Sequence, residues 1–106
     1  MSYLPQPKEI DAAEVNRRRA DTVIVDVRED WEWDSGHIPG ARHIPLGDLN
    51  AAAAELLALP EVIFVCHIGS RSGAAAVAFT NAGHPNALNL AGGMEAWESL
   101  GLPVEN

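Results

Sequence analysis

Val62-Ile63-Phe64-Val65-Cys66-His67-Ile68-Gly69-Ser70-Arg71-Ser72-Gly73 decides how the rest of the chain is read. It opens as a β-branched and aromatic run, the composition of a fully buried strand. It closes in the Ala-rich segment 73–82, which predicts a helix. A loop that leaves a parallel strand for a helix turns its backbone N–H groups toward whatever lies at the strand's end. Those unpaired groups and the helix dipole favour an anion there. Cys66, the only cysteine of the chain, opens this loop, and its sulfur is placed to be that anion. A free thiol has a pKa of about 8.5, lowered to roughly 3.5–7.5 at helix N-termini or beside cations. Gly69 allows the positive φ that a tight cradle needs, and Ser70 is expected to cap the helix. Arg71 brings a permanent charge and a forked donor suited to an oxyanion. A lone cysteine is more commonly an inert, packed hydrophobe. A Gly, a Ser and an Arg directly after it argue for a reactive one.

Outward from this stretch, residues 22–27 (Thr-Val-Ile-Val-Asp-Val) read as a second buried strand, apolar without strict alternation, as in a parallel sheet covered on both faces. Working residues of open parallel sheets collect beyond the carboxyl ends of the strands. Arg28 therefore shares an edge with Cys66 if the two strands are neighbours, and Asp26 is expected to orient the loop or pair with an arginine. A solvated turn with ion pairs is the plainer alternative for these charges.

Asp11-Ala12-Ala13-Glu14 predicts a helix start ending in the arginines 17–19, which complement the helix dipole rather than form a basic patch. Residues 29–35 predict a short helix whose Trp31 and Trp33 pack over the sheet edge. Gly36-His37-Ile38-Pro39-Gly40-Ala41 is a turn, with His37 held in it by hydrogen bonds. Residues 42–45 predict a strand. Leu49, Ala52, Ala53, Leu56 and Leu57 give the apolar face of a helix stopped by Pro60, completing a βαβ crossover into the Cys66 strand. Residues 87–90 are a further strand, and Gly92-Gly93 turns into a last helix over 94–100, letting backbone approach the Cys66 loop.

The composition narrows the function. A length of 106 residues predicts one domain, spanning 1–106. Fifteen acidic against seven basic residues leave a formal charge of −8, which repels nucleic-acid backbone and anionic membranes. One cysteine rules out an internal disulfide, multi-cysteine zinc sites and a resolving thiol within the chain. The N-terminal residues show no secretory signal and no apolar run reaches the ~20 residues of a bilayer span. A reducing, cytoplasmic setting is expected.

The segments Asp26-Val27-Arg28-Glu29, Glu32-Trp33, Gly36-His37-Ile38-Pro39-Gly40-Ala41, Cys66-x-x-Gly69-x-Arg71-Ser72 and Gly92-Gly93-Met94-x-Ala96-Trp97 stand in one order across the chain. In that order and spacing the chain resembles the single-domain rhodanese (sulfurtransferase) family. It departs at Asp30, where a proline is frequent. The resemblance implies an α/β fold with a central parallel sheet of about five strands and helices on both faces. It implies that Cys66 takes a sulfane sulfur from an anionic donor such as thiosulfate, becomes a persulfide, and passes the sulfur to cyanide or a thiol. A protein persulfide is a further possible donor or acceptor. The loop N–H groups of His67, Ile68, Gly69, Ser70, Arg71 and Ser72 are expected to hold the persulfide, and Arg71 to shape the loop and, with Arg28, draw in the donor. No metal or organic cofactor is implied. His67 is not expected to pair with Cys66, because adjacent side chains in a tight loop diverge. Two alternatives stand beside this reading. One is a Cys-based phosphatase or arsenate reductase, against which the loop is one residue short between Cys66 and Arg71. The other is a non-enzymatic regulatory or binding module, in which the cysteine is often missing.

Overall fold

β4 (Val62–Val65) lies at the centre of a five-stranded parallel sheet. The computed structural model describes residues 5–106. The other strands are β1 (Lys8–Ile10), β2 (Ile24–Asp26), β3 (Arg42–His43) and β5 (Ala87–Leu90). Their order is β1-β5-β4-β2-β3, all parallel. The helices are α1 (Ala12–Arg18), α2 (Asp30–Asp34), α3 (Leu49–Leu57), α4 (Ser70–Asn81) and α5 (Gly93–Ser99), with short 3-10 turns at Arg19–Asp21 and Leu46–Asp48. This is the α/β architecture expected from the sequence.

The alternation of β4 explains the two faces. Val62, Phe64 and Cys66 join Leu49 and Leu56 of α3 and Ala75, Ala76 and Phe79 of α4 in one apolar cluster. Ile63 and Val65 join Ala12 and Val15 of α1 and Met94 and Trp97 of α5 in the other. Successive side chains of a strand point to opposite faces, so a continuous apolar run is what a doubly covered strand requires. Each fully buried Val, Ile, Leu or Phe contributes about 1.5–3 kcal/mol of transfer free energy. Small residues on α4 let it lie close to β4 and β5.

Several elements differ from the sequence reading. β1 was not foreseen, because Lys8 and Glu9 are exposed and leave no apolar pattern. β3 is only Arg42–His43, shorter than the predicted 42–45. Trp31 does not pack over the sheet edge: it is 72% exposed. Residues two apart on a helix point to opposite sides, so of its two tryptophans α2 turns only Trp33 inward, where it stacks on His37 with ring centroids 3.5 Å apart and on His43 at 4.8 Å. His37 is buried and tied to the Trp33 carbonyl through Nδ1 at 3.0 Å, as its turn position predicts. Of the arginines of α1, Arg17 pairs within the helix with Glu14, and Arg18 pairs with Glu61, 43 positions away. Among the described residues no helix is long and apolar enough to cross a membrane.

Candidate functional site

Beyond β4 the chain runs through Cys66, His67, Ile68 and Gly69 into α4. Gly69 occupies the N-cap position with φ +104°, a left-handed conformation that side chains rarely adopt. Ser70 is therefore the first residue of the helix and not its cap, which corrects the sequence reading. The reason is that the first-turn N–H groups already have an acceptor. The Gly69 N–H donates to Cys66 Sγ at 3.1 Å and the Ser72 N–H reaches it at 3.4 Å. The Ser72 hydroxyl lies 3.1 Å from the same sulfur. Burial of the thiol pushes its pKa up, but hydrogen bonds from the Ser72 hydroxyl and from the N–H groups of Ser72, Gly69 and Arg71 outweigh it and leave it below the ordinary thiol value.

Arg71 shapes the loop through a forked pair. Its two terminal nitrogens each donate at 2.8 Å to the two oxygens of Glu32 on α2. Glu32 is itself held in place by the Glu29 N–H, which donates to Oε1 at 3.0 Å. The hydrogen bonds from Arg71 hold the Glu32 carboxyl at about 2 against its burial, and Glu32 raises Arg71 in turn. Glu32 stood in the sequence motif without a role; its distance of 39 positions from Arg71 gave no local signal. Because Glu32 is depressed in the folded state, the pair's stabilisation is complete above the ordinary value of 4.5 and is lost as pH falls toward about 2. In Glu32→Gln protein we expect the decline of Tm across that window to be shallower than in the unsubstituted chain. Parallel declines would remove the pair from acid stability.

Arg28 and Asp26 share the sheet edge with Cys66, since β2 and β4 are neighbours. Their charges close on each other. Arg28 Nε and Nη2 donate to the Asp26 carboxylate at 3.0 and 2.9 Å, and Nη2 also donates to the Gly36 carbonyl at 2.8 Å. Both side chains are buried. Asp26 thus pairs with an arginine as expected, and the pair pins the turn at Gly36. His67 diverges from Cys66 and lies 3.9 Å from Glu95. Ile68 is exposed at the loop's crest. Gly93 lets the start of α5 meet the loop: the Met94 N–H donates to the Cys66 carbonyl at 2.8 Å and the Glu95 N–H to the His67 carbonyl at 3.0 Å. Asn89 on β5 is a further buried neighbour of Ser72 and Gly69 that the sequence reading passed over.

No group of three or more His, Cys, Asp or Glu side chains gathers to hold a metal ion among the described residues. What the arrangement can do is stabilise negative charge on a sulfur atom at a helix start. Residues 11–100 match the family model described as the rhodanese-like domain. The chain belongs to the rhodanese-like family.

Relatives agree with that placement. A sulfurtransferase of Allochromatium vinosum is 34% identical over 99 residues, covering 91% of this chain and 92% of that protein. A Bacillus subtilis relative is 42% identical over 74 residues, 70% of this chain, but the rhodanese-like chain spans only 40% of its length. The crystal structure of a thiosulfate sulfurtransferase from Pseudomonas aeruginosa superposes with TM-score 0.82 at 32% identity, covering 94% of this chain and 20% of that one. These matches place the rhodanese-like chain in the sulfurtransferase superfamily.

Proposed function

We propose that this chain, acting as one rhodanese-like domain over 1–106, moves a sulfane sulfur through a persulfide on Cys66. The observation that carries the reading is the convergence of the Gly69 and Ser72 N–H groups on Sγ. The Cys66 thiolate attacks the outer sulfur of a donor such as thiosulfate. A new S–S bond forms as the donor's S–S bond breaks, and the electron pair leaves with sulfite. The charge then rests on the outer sulfur, where the N–H groups of residues 67–72 hold it by charge-assisted hydrogen bonds. In the second half, cyanide or a thiolate attacks that outer sulfur and the Cys66 thiolate returns. The covalent intermediate makes ping-pong kinetics the expectation. With one cysteine in the chain, a thiol acceptor comes from outside, as a reducing, cytoplasmic compartment supplies. A protein persulfide fits the donor role, and a protein thiolate, which becomes a persulfide on taking the sulfur, fits the acceptor role.

In this reading Arg71 acts by shaping the loop. Both arginines expected to draw in the donor carry carboxylate partners, Arg71 on Glu32 and Arg28 on Asp26, so the backbone cradle rather than an unpaired cation bears the anion. The formal charge of −8 then opposes a dianionic donor at long range. Loading by thiosulfate is expected to quicken as ionic strength rises from about 0.01 M to about 0.15 M, where the Debye length shrinks to roughly 8 Å. Stopped-flow loading rates check this, and a rate that falls with salt would mean that attraction by free cations dominates. The direct test of the reading is intact mass. Thiosulfate adds one sulfur atom to the protein and cyanide removes it as thiocyanate; a pure binding module gains none.

A further inference from the structure

The hydroxyl of Ser72 stands between two acceptors. Its Oγ lies 2.6 Å from Asn89 Oδ1 and 3.1 Å from Cys66 Sγ. The amide of Asn89 cannot be turned over to relieve this. Its Nδ2 donates to Glu9 Oε2 at 2.8 Å and to the Gly69 carbonyl at 3.1 Å, and neither of those oxygens has a proton to offer. Oδ1 therefore faces Ser72 as an acceptor. A hydroxyl has a single proton, so it serves Oδ1 or Sγ and not both. Ser72 and Asn89 are both buried, which makes an unmatched polar atom costly here.

We propose that Asn89 is a positioning residue for Cys66: its carbonyl holds the Ser72 hydroxyl proton while Sγ is uncharged and loses it to Sγ when the free thiolate forms. In the thiol state the S–H donates to Ser72 Oγ and the O–H donates to Asn89. In the thiolate state the O–H swings to Sγ, leaving Oδ1 without its donor and facing the oxygen lone pairs at close range. When the sulfur is loaded its charge moves to the outer atom, and the hydroxyl returns to Asn89. Asn89 thus works against the free thiolate and in favour of the loaded form; this last step rests on the persulfide reading above. The other charged groups around the loop are the Arg71–Glu32 pair from α4 and α2, Arg28 with Asp26 at the end of β2, His67 with Glu95 at the start of α5, and Glu9 on β1. Direct contact with Ser72 distinguishes Asn89 from all of them.

The test is the pH dependence of Cys66 alkylation by iodoacetamide, which needs no sulfur donor and so fails or succeeds separately from thiosulfate loading. Asn89→Ala frees the hydroxyl for Sγ, and the midpoint is expected to fall by roughly half a pH unit to one unit. Asn89→Val, which keeps a side chain suited to a strand, is expected to give the same direction. Neither of these shifts is expected in a Ser72→Ala background, where there is no proton to compete for. A purely structural role for Asn89 would lower Tm without a Ser72-dependent midpoint. The proposal is overturned if the midpoints stay or rise, or if they fall equally without the Ser72 hydroxyl.

Discussion

Cys66→Ser is expected to abolish sulfur transfer while leaving the fold in place. A serine oxygen cannot form a persulfide, so no covalent intermediate can accumulate. Turnover from thiosulfate to cyanide should drop by about 10⁴-fold or more, to background, as losses of a covalent nucleophile do. Stability should change little, by about 1–2 kcal/mol at most. The substituted hydroxyl takes the place of Sγ beneath the Gly69 and Ser72 N–H groups, which can donate to oxygen as they do to sulfur. Three measurements check the pair of expectations: thiocyanate release, intact mass after thiosulfate, and a thermal melt. Retained turnover in the folded variant would end the mechanism. A variant that unfolds would instead mean that the cysteine matters first as a packed member of the cluster that holds Val25, Phe64 and Ala75.

The second large effect is expected at a residue with no side chain. Gly93 has φ +59°, and a Cβ built there would overlap the Cys66 carbonyl oxygen and lie 2.6 Å from the His67 carbonyl oxygen. Neither obstacle is a flexible side chain. Both belong to the peptide planes whose carbonyls accept the Met94 and Glu95 N–H groups. Relief of the clash must rotate those planes or push α5 away, and either movement disturbs the loop whose amides face the sulfur. Gly93→Ala is expected to cost about 2–4 kcal/mol of stability and to reduce sulfur transfer by about 10²-fold, the scale of a misplacement of roughly 1 Å. Gly40→Ala is the control. Gly40 also has positive φ, at +86°, but open space where a Cβ would go, so only the backbone preference is lost, about 1–2 kcal/mol. Urea melts of the two variants decide. Equal destabilisation would show that the close approach of α5 to the Cys66 loop contributes nothing beyond backbone strain.

The buried strand, the loop and the following helix were legible because their signals are local. An apolar run, a glycine where the backbone turns left-handed, and small residues along a helix act within a few positions of one another. The same holds for Asp11, whose carboxylate accepts from the Glu14 N–H at 2.8 Å as a helix start predicts. The Gly92-Gly93 pair was read as a point of close backbone approach, and the overlap at Gly93 is that approach in detail. Where the reading erred, a local rule met a tertiary choice. Ser70 had the chemistry of a cap, yet the sulfur had taken the first-turn N–H groups. Trp31 was assigned to packing by its residue type, but α2 is only five residues long and presents one side inward.

By itself the sequence determined a doubly covered parallel sheet with one thiol at a strand's end, since burial pattern and turn chemistry follow from neighbours along the chain. Tertiary structure alone decided which charges surround that thiol and which are cancelled. Arg71 meets a carboxylate 39 positions away, and Asn89 is anchored by one 80 positions away on an edge strand whose exposed face carries no apolar signal. Polar side chains take partners according to geometry across strands and helices, and residue type alone leaves several partners open until the sheet order has brought one of them within hydrogen-bond reach.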